Sequence, residues 1–188
     1  MICHDKGWEN FPTFLFYTFI FDIFAKYKIK NMKEINFNGN LLDSTADIIA
    51  HQTNCSGSMN SGVAKAIKDT YPRVWEQYKK AYDKGLLKLG MCQVVKTSPN
   101  GDDNRLVANL FGQDKYGYNG QRYTNYEGIY VALEKLAVYC KENNLKSVAF
   151  PWKMSSDRGG ADWMVICAMI EAAFKDLDIT IEYWKHNG

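Results

Sequence analysis

The sequence is poor in most of the residues that mark a specialised architecture. Four prolines and fourteen glycines in 188 residues exclude collagen-like or linker-like material. Three histidines, His4, His51 and His186, are too few for a histidine-rich metal centre, and no metal or cofactor is expected. The five cysteines (Cys3, Cys55, Cys92, Cys140 and Cys167) are odd in number and widely spaced, with no CxxC pair. That excludes a disulfide framework or a structural zinc site and fits reduced thiols in a cytoplasmic protein. Lys and Arg number 23 against 21 Asp and Glu, a net charge of +2. Without a basic excess, no nucleic-acid partner is expected. There is no internal repeat, no low-complexity tract, and no apolar run of the ~20 residues that a bilayer-spanning helix needs.

What is present is apolar content of 46% and aromatic content of 14%, enough for a packed domain. The length suits one domain plus an extension, and a monomer is expected. The extension is residues 1–31. Within it, residues 11–21 (FPTFLFYTFIF) form an uncharged aromatic run, followed by Lys26, Lys28, Lys30 and Lys33. Two readings stand: a packed or upstream extension before a start at Met32, or a segment that contacts a membrane surface through the run and its lysines. From Met32 to the end, residues 32–188, the pattern becomes that of a domain. Residues 33–38, 47–51, 91–96, 106–110, 147–150 and 179–183 read as short strands rich in Ile, Val and Phe. Three helical stripes lie between them. Val63, Ile67 and Tyr71 lead through the punctuating Pro72 to Val74, Trp75 and Tyr78. Tyr126 to Cys140 and Trp163 to Leu177 carry the other two. Strands interleaved with helices make an α/β layered domain. Residues 97–104 (TSPNGDDN) read as a surface hairpin loop.

Two strand–loop–helix units point to one anionic ligand. In the first, the strand ending at His51-Gln52-Thr53-Asn54 runs into Cys55-Ser56-Gly57-Ser58-Met59-Asn60-Ser61-Gly62, and a helix starts at Val63. In the second, the strand ending at Pro151 runs into residues 152–161, and Asp162 stands as an N-cap before Trp163. Small, glycine-bearing loops let backbone N–H groups approach an anion, and the following helix adds its dipole. Loops at the carboxyl ends of strands are where open α/β sheets bind ligands. Two such cradles suit a diphosphate or a sugar phosphate; the plain alternative is that the glycines only make turns.

His51-Gln52-Thr53-Asn54-Cys55-Ser56-Gly57 with Gly62-Val63-Ala64-Lys65-Ala66-Ile67, then Asn109-Leu110-Phe111-Gly112-Gln113-Asp114, then Asp157-Arg158-Gly159-Gly160-Ala161-Asp162-Trp163, resemble the motifs of a macro domain. More narrowly they resemble the small stand-alone macro-domain proteins of bacteria and their phages, which are similar to the yeast-type ADP-ribose 1''-phosphate phosphatase. The resemblance runs from Met32 to Trp184. It implies a three-layer α/β/α sandwich around a mixed six-stranded sheet, with ADP-ribose across the strand ends. It also implies hydrolysis of ADP-ribose 1''-phosphate to ADP-ribose and phosphate, or binding of ADP-ribose or a derivative without turnover.

The resemblance also implies roles for single residues. Asn40, after Gly39, stands where the family usually has an Asp that accepts from the adenine amino group; an amide oxygen can accept the same bond without the charge. Asn54 matches the asparagine that contacts the distal ribose, with loop-holding as its plain alternative. Gly57, Ser61, Gly62 and Val63 would line that ribose and the adjacent phosphate. Ser155, Ser156, Asp157, Arg158, Gly159 and Gly160 would wrap the diphosphate, with Ser155-Ser156-Asp157 where the family often has Gly-Cys-Gly. Tyr183 or Trp184 would stack on adenine. His51 is the candidate acid or base, or else a packed core histidine. Asp162 is the candidate carboxylate, or else only a cap. A related branch removes ADP-ribose with a lysine nucleophile; here that position is Gln113, which argues against a covalent ribose adduct.

Overall fold

The computed structural model describes residues 32–98, 105–117 and 119–186. The aromatic run at 11–21 and most of the hairpin loop lie outside these residues. Six strands form one sheet: β1 (Lys33–Asn38), β2 (Ile48–Asn54), β3 (Cys92–Lys96), β4 (Leu106–Gln113), β5 (Ser147–Pro151) and β6 (Thr180–Lys185). Their order is β1-β6-β5-β2-β4-β3. All neighbours are parallel except β3 and β4, so the sheet is mixed. This is the expected α/β sandwich. Four helices complete it: α1 (Gly62–Thr70), α2 (Pro72–Asp83), α3 (Tyr126–Glu142) and α4 (Trp163–Phe174). The first of the three stripes is thus two helices. Pro72 has no N–H to continue the ladder and takes the first turn of α2 instead.

The layers follow from strand alternation. Ile48 and Ala50 of β2 join Ala108, Leu110, Val148, Phe150 and Ile181 under α3 and α4. Ile49, with Val107 and Ala149, faces the other way, onto Ile67 of α1 and Val74 of α2. Central strands buried on both faces explain why β2, β4 and β5 read as nearly continuous apolar runs. β1 is an edge strand and mostly exposed. Among the described residues, no helix is long and apolar enough to cross a membrane.

Two strands run past their expected ends. β2 continues through Gln52, Thr53 and Asn54, and β4 through Phe111, Gly112 and Gln113. The polar residues hid this extension, but their backbones keep the parallel pairing as far as a register shift between Thr53 and Asn54. The two strands therefore carry polar side chains right up to the edge where the loops begin.

Candidate functional site

The loops that follow β2 and β5 face each other across a cleft of about 230 Å³ at the carboxyl ends of the parallel strands. Of the residues picked out from the sequence, His51, Asn54, Ser61, Gly62, Val63, Ser155, Asp157, Arg158 and Gly159 line it. Gln113 and Trp152 line it too.

Two side chains hold the middle of the first loop, while Cys55 N and Ser56 Oγ tie its start to the backbone carbonyls of Gln113 and Asp114. Asn54 Oδ1 accepts from Ser56 N (2.9 Å), and its Nδ2 donates to Ser58 O (2.7 Å). Tyr78, buried on α2, donates to Asn54 (3.0 Å) and accepts from Ser58 N (2.8 Å). Asn54 therefore holds the loop while forming part of the cleft wall. Gly57 lies outside the wall; its φ of +73° and the Tyr82 ring against its Cα leave no place for a side chain.

The second loop is held by residues far away in the sequence. Gln52 donates to Gln113 Oε1 (2.7 Å) and Thr124 Oγ1 (3.0 Å), and accepts from Ser155 Oγ (2.7 Å). Buried Thr124 donates to Ser155 O (3.1 Å), and the backbone N–H groups of Tyr123 and Thr124 both donate to Gly159 O (2.9 Å). Two non-glycine residues here, Lys153 (φ +57°) and Ser155 (φ +70°), sit in the left-handed region. Ser155 is the position where the resemblance leads one to expect glycine. Gln52, Thr124 and Tyr78 were not singled out from the sequence. Gln52 lies inside the first motif and Thr124 between the second and third, but only the fold shows that they brace the second loop.

Burial narrows the chemistry. It pushes His51 down to about 4, against the opposing pull of Asn109 and the Gln52 backbone, so the ring is neutral near pH 7. Burial, then the neighbouring Asp114, pushes the Cys55 thiol up to about 11, which leaves it protonated and a poor nucleophile. Gln113 is tied to Gln52 and has no amine to offer. The surroundings of the cleft are mixed in charge: Lys153 and Arg158 are exposed on its wall, as is Asp157.

The other residues picked out from the sequence lie outside the cleft wall. Asp162 is exposed and outside the cleft wall; its carboxylate accepts from Met164 N (2.8 Å), the cap of α4, while its own N–H donates to Tyr126 Oη (2.9 Å). Asn40 is also outside, with Oδ1 accepting from Leu42 N (3.1 Å) at the start of a short 3-10 turn, Leu41–Asp43. Tyr183 presents no face to the cleft: it is buried against Phe150, Trp152 and Trp163, and its hydroxyl donates to Glu34 (3.2 Å). Trp184 points to the opposite face, as alternation requires, stacked on Phe37 at 4.7 Å. Ser156 and Gly160 belong to the second loop but not to the wall. Among the described residues, no three His, Cys, Asp or Glu side chains gather into a metal-binding group.

A model of the macro domain family matches residues 50–170, the stretch that carries both loops. This chain belongs to the macro domain family. Among curated proteins, this macro domain is 27% identical over 148 residues to a DNA ADP-ribosyl glycohydrolase of Thermus aquaticus, covering 79% of the chain and 39% of that protein. It is 26% identical over 140 residues to the protein of that name in Mycobacterium tuberculosis, covering 74% and 38%. The chain thus spans less than half the length of the curated relatives it matches. Among solved structures, the macrodomain of Mycobacterium tuberculosis DarG is 25% identical with a TM-score of 0.72, over 82% of this chain and 98% of that one. DarTG of Thermosipho africanus, solved in complex with ADP-ribose, shares the fold of this macro domain at 19% identity and a TM-score of 0.69, over 84% and 42%. The narrower likeness to the yeast-type phosphatase is not what these relatives are named for.

Proposed function

We propose that the cleft binds ADP-ribose and that the protein hydrolyses an ADP-ribose derivative, with ADP-ribose 1''-phosphate as the substrate. The observation that carries this reading is the pair of loops facing across one cleft. One opens into the N-terminus of α1 at Gly62, and the other carries Lys153 and Arg158. Backbone N–H groups, a helix dipole and two cations together suit a diphosphate. A sugar ring bound between the loops would meet Asn54 and His51 on the wall. In the reaction water attacks phosphorus, the bond to the ribose oxygen breaks, and ADP-ribose and inorganic phosphate leave. The neutral thiol of Cys55 and the amide of Gln113 support direct attack by water over a covalent enzyme adduct. Loop N–H groups would stabilise the charge that develops on phosphate oxygens. Asp157 is the carboxylate on the wall.

A second reading, release of ADP-ribose from DNA, is favoured by the names of the curated relatives. Incubation with ADP-ribose 1''-phosphate, scored for released phosphate, and with an ADP-ribosylated oligonucleotide, scored for free ADP-ribose, separates the two. Calorimetry with ADP-ribose and with AMP tests the shared premise. ADP-ribose is expected to bind at least ~10-fold more tightly, since one wall would hold AMP and two hold the diphosphate-linked sugar. Equal affinities would sink the reading.

A further inference from the structure

A row of three polar side chains crosses the sheet beneath the cleft. His51 on β2, Asn109 on β4 and Gln93 on β3 are register partners. By alternation from Ile49 and Val107 they lie on the face covered by α1 and α2. His51 Nε2 is 2.7 Å from Asn109 Oδ1, Asn109 Nδ2 is 2.9 Å from Gln93 Oε1, and Gln93 Nε2 is 3.2 Å from the backbone carbonyl of Gln77 on α2.

The far end sets the direction of the whole chain. A backbone carbonyl only accepts, so Gln93 turns its NH2 to Gln77 and its oxygen to Asn109. Asn109 must then donate to Gln93 and turn its own oxygen to His51. The imidazole is left to donate from Nε2. No choice of amide orientation enters, because each flip would set two oxygens or two NH2 groups against each other. A neutral ring with its proton on Nε2 carries a bare lone pair on Nδ1.

That nitrogen is buried and makes no hydrogen bond of normal geometry, the Gln52 backbone acting on the ring more weakly than Asn109 does; Thr53 Oγ1, two residues further along the same face of β2 and neighbouring Tyr78, makes none either. Both residues line the cleft. Among the described residues only one other buried side-chain nitrogen or oxygen, Arg73 Nε, lacks a partner. Buried polar atoms are paired in the large majority of cases, so two orphans side by side at a ligand cleft call for a missing partner.

We infer that the Gln77–Gln93–Asn109 chain locks His51 as the Nε2–H tautomer, so that Nδ1, beside Thr53, is a standing acceptor for an O–H group. The donor is an ordered water or a sugar hydroxyl; only the second source rests on the ADP-ribose reading. Asn109 and Gln93 are positioning residues, acting on the ligand through His51. His51 itself acts by accepting, which agrees with its neutrality in the cleft.

Nitrogen-15 spectra of the full chain test this. In the ligand-free protein, His51 should show one pyrrole-type nitrogen at Nε2 and one pyridine-type nitrogen at Nδ1, unchanged from pH 6 to 8. A proton on Nδ1, or averaged tautomers, overturns the lock without reference to any ligand. Gln93→Leu removes the anchor without touching His51 and frees Asn109 to flip. It should mix the tautomers, and a pure wild-type pattern in a folded Gln93→Leu protein would also overturn the lock. For the acceptor role, a Nδ1 resonance already displaced to the hydrogen-bonded position in the free protein identifies water. Displacement only on saturation with ADP-ribose identifies the sugar. An unbonded position in both states, with ADP-ribose binding verified by calorimetry, refutes the acceptor role. If ADP-ribose does not bind, the function reading fails, while the ligand-free spectra still decide the lock and the water source.

Discussion

The two loops that face each other across the cleft are held with different emphasis. The first is organised largely from within: Asn54 bonds Ser56 and Ser58, a tyrosine from α2 supports both, and only its start is tied to the backbone at Gln113 and Asp114. The second is braced from outside, by Gln52, Thr124 and the backbone of residues 123–124, and it holds Lys153 and Ser155 in left-handed backbone. A loop that binds itself through a side chain two to four residues away needs little from the rest of the fold. A loop that carries backbone strain of about 1 kcal/mol or more at each such residue persists only where its surroundings over-determine it. Changes at the second loop should therefore spread further than equivalent changes at the first.

The same substitution in each loop sharpens this contrast. At Gly159 a methyl would collide with Ser155 O and Thr124 Oγ1 and press on Gln52 Nε2. Gly159→Ala should cost about 3 kcal/mol of stability and lower ADP-ribose affinity at least ~100-fold, because the brace itself is displaced. Denaturant titration and calorimetry report both quantities. At Gly62 (φ +55°) the nearest atom to such a methyl is Arg158 Nη1 at 4.0 Å, so only backbone strain remains. Gly62→Ala should cost about 1 kcal/mol. Equal losses in the two variants would break the contrast.

Acid acts on the strand from which the first loop leaves. Folded His51 is held near 4 and the free ring near 6.5, so the folded state binds fewer protons in between. Stability from this group is intact above about pH 6.5, declines as pH falls, and is short by about 3 kcal/mol once pH passes below 4. Thermal melts of wild type and His51→Gln across that range should differ in slope. Parallel slopes would show that His51 protonates freely in the fold.

Smaller effects separate the loops again. Tyr78→Phe removes the hydroxyl that serves Asn54 and Ser58 N, and should destabilise by about 2 kcal/mol through groups left unpaired. Amide exchange should quicken in residues 54–58 and stay unchanged at 123–124. Lys153→Gly relieves a left-handed residue and should stabilise by about 0.5–1 kcal/mol while weakening ADP-ribose binding through the lost charge. A loss of stability would show that Lys153 is not strained.

Most of the architecture could be read from local pattern. All six strands, the α3 and α4 stripes and the punctuation at Pro72 are visible because periodic burial writes them into the choice of residue at each position. So are the two glycine-bearing loops, whose positions follow from where the apolar runs stop. The ends of β2 and β4 were less legible. Gln52, Thr53 and Asn54 look like loop residues until parallel pairing with β4 claims their backbones.

The site divides along the same line. Asn54, Ser61, Gly62, Ser155, Asp157 and Gly159 all line the cleft, since a loop between two fixed elements has few routes to take. Asp162 and Asn40 are not in the wall, because a short polar side chain at the start of a helical turn binds the turn's own N–H first. Which of Tyr183 and Trp184 faces which layer depends on the register of β6 against β5 and β1, and a one-residue slip would exchange them. The bracing by Gln52, Thr124 and Tyr78, and the row from Gln77 to His51, join residues tens of positions apart. Sequence alone determined the layers and the loops, because burial and turn chemistry act within a few residues. Only the tertiary structure decided which polar groups meet, because a hydrogen bond is set by distances that the chain acquires when the sheet closes.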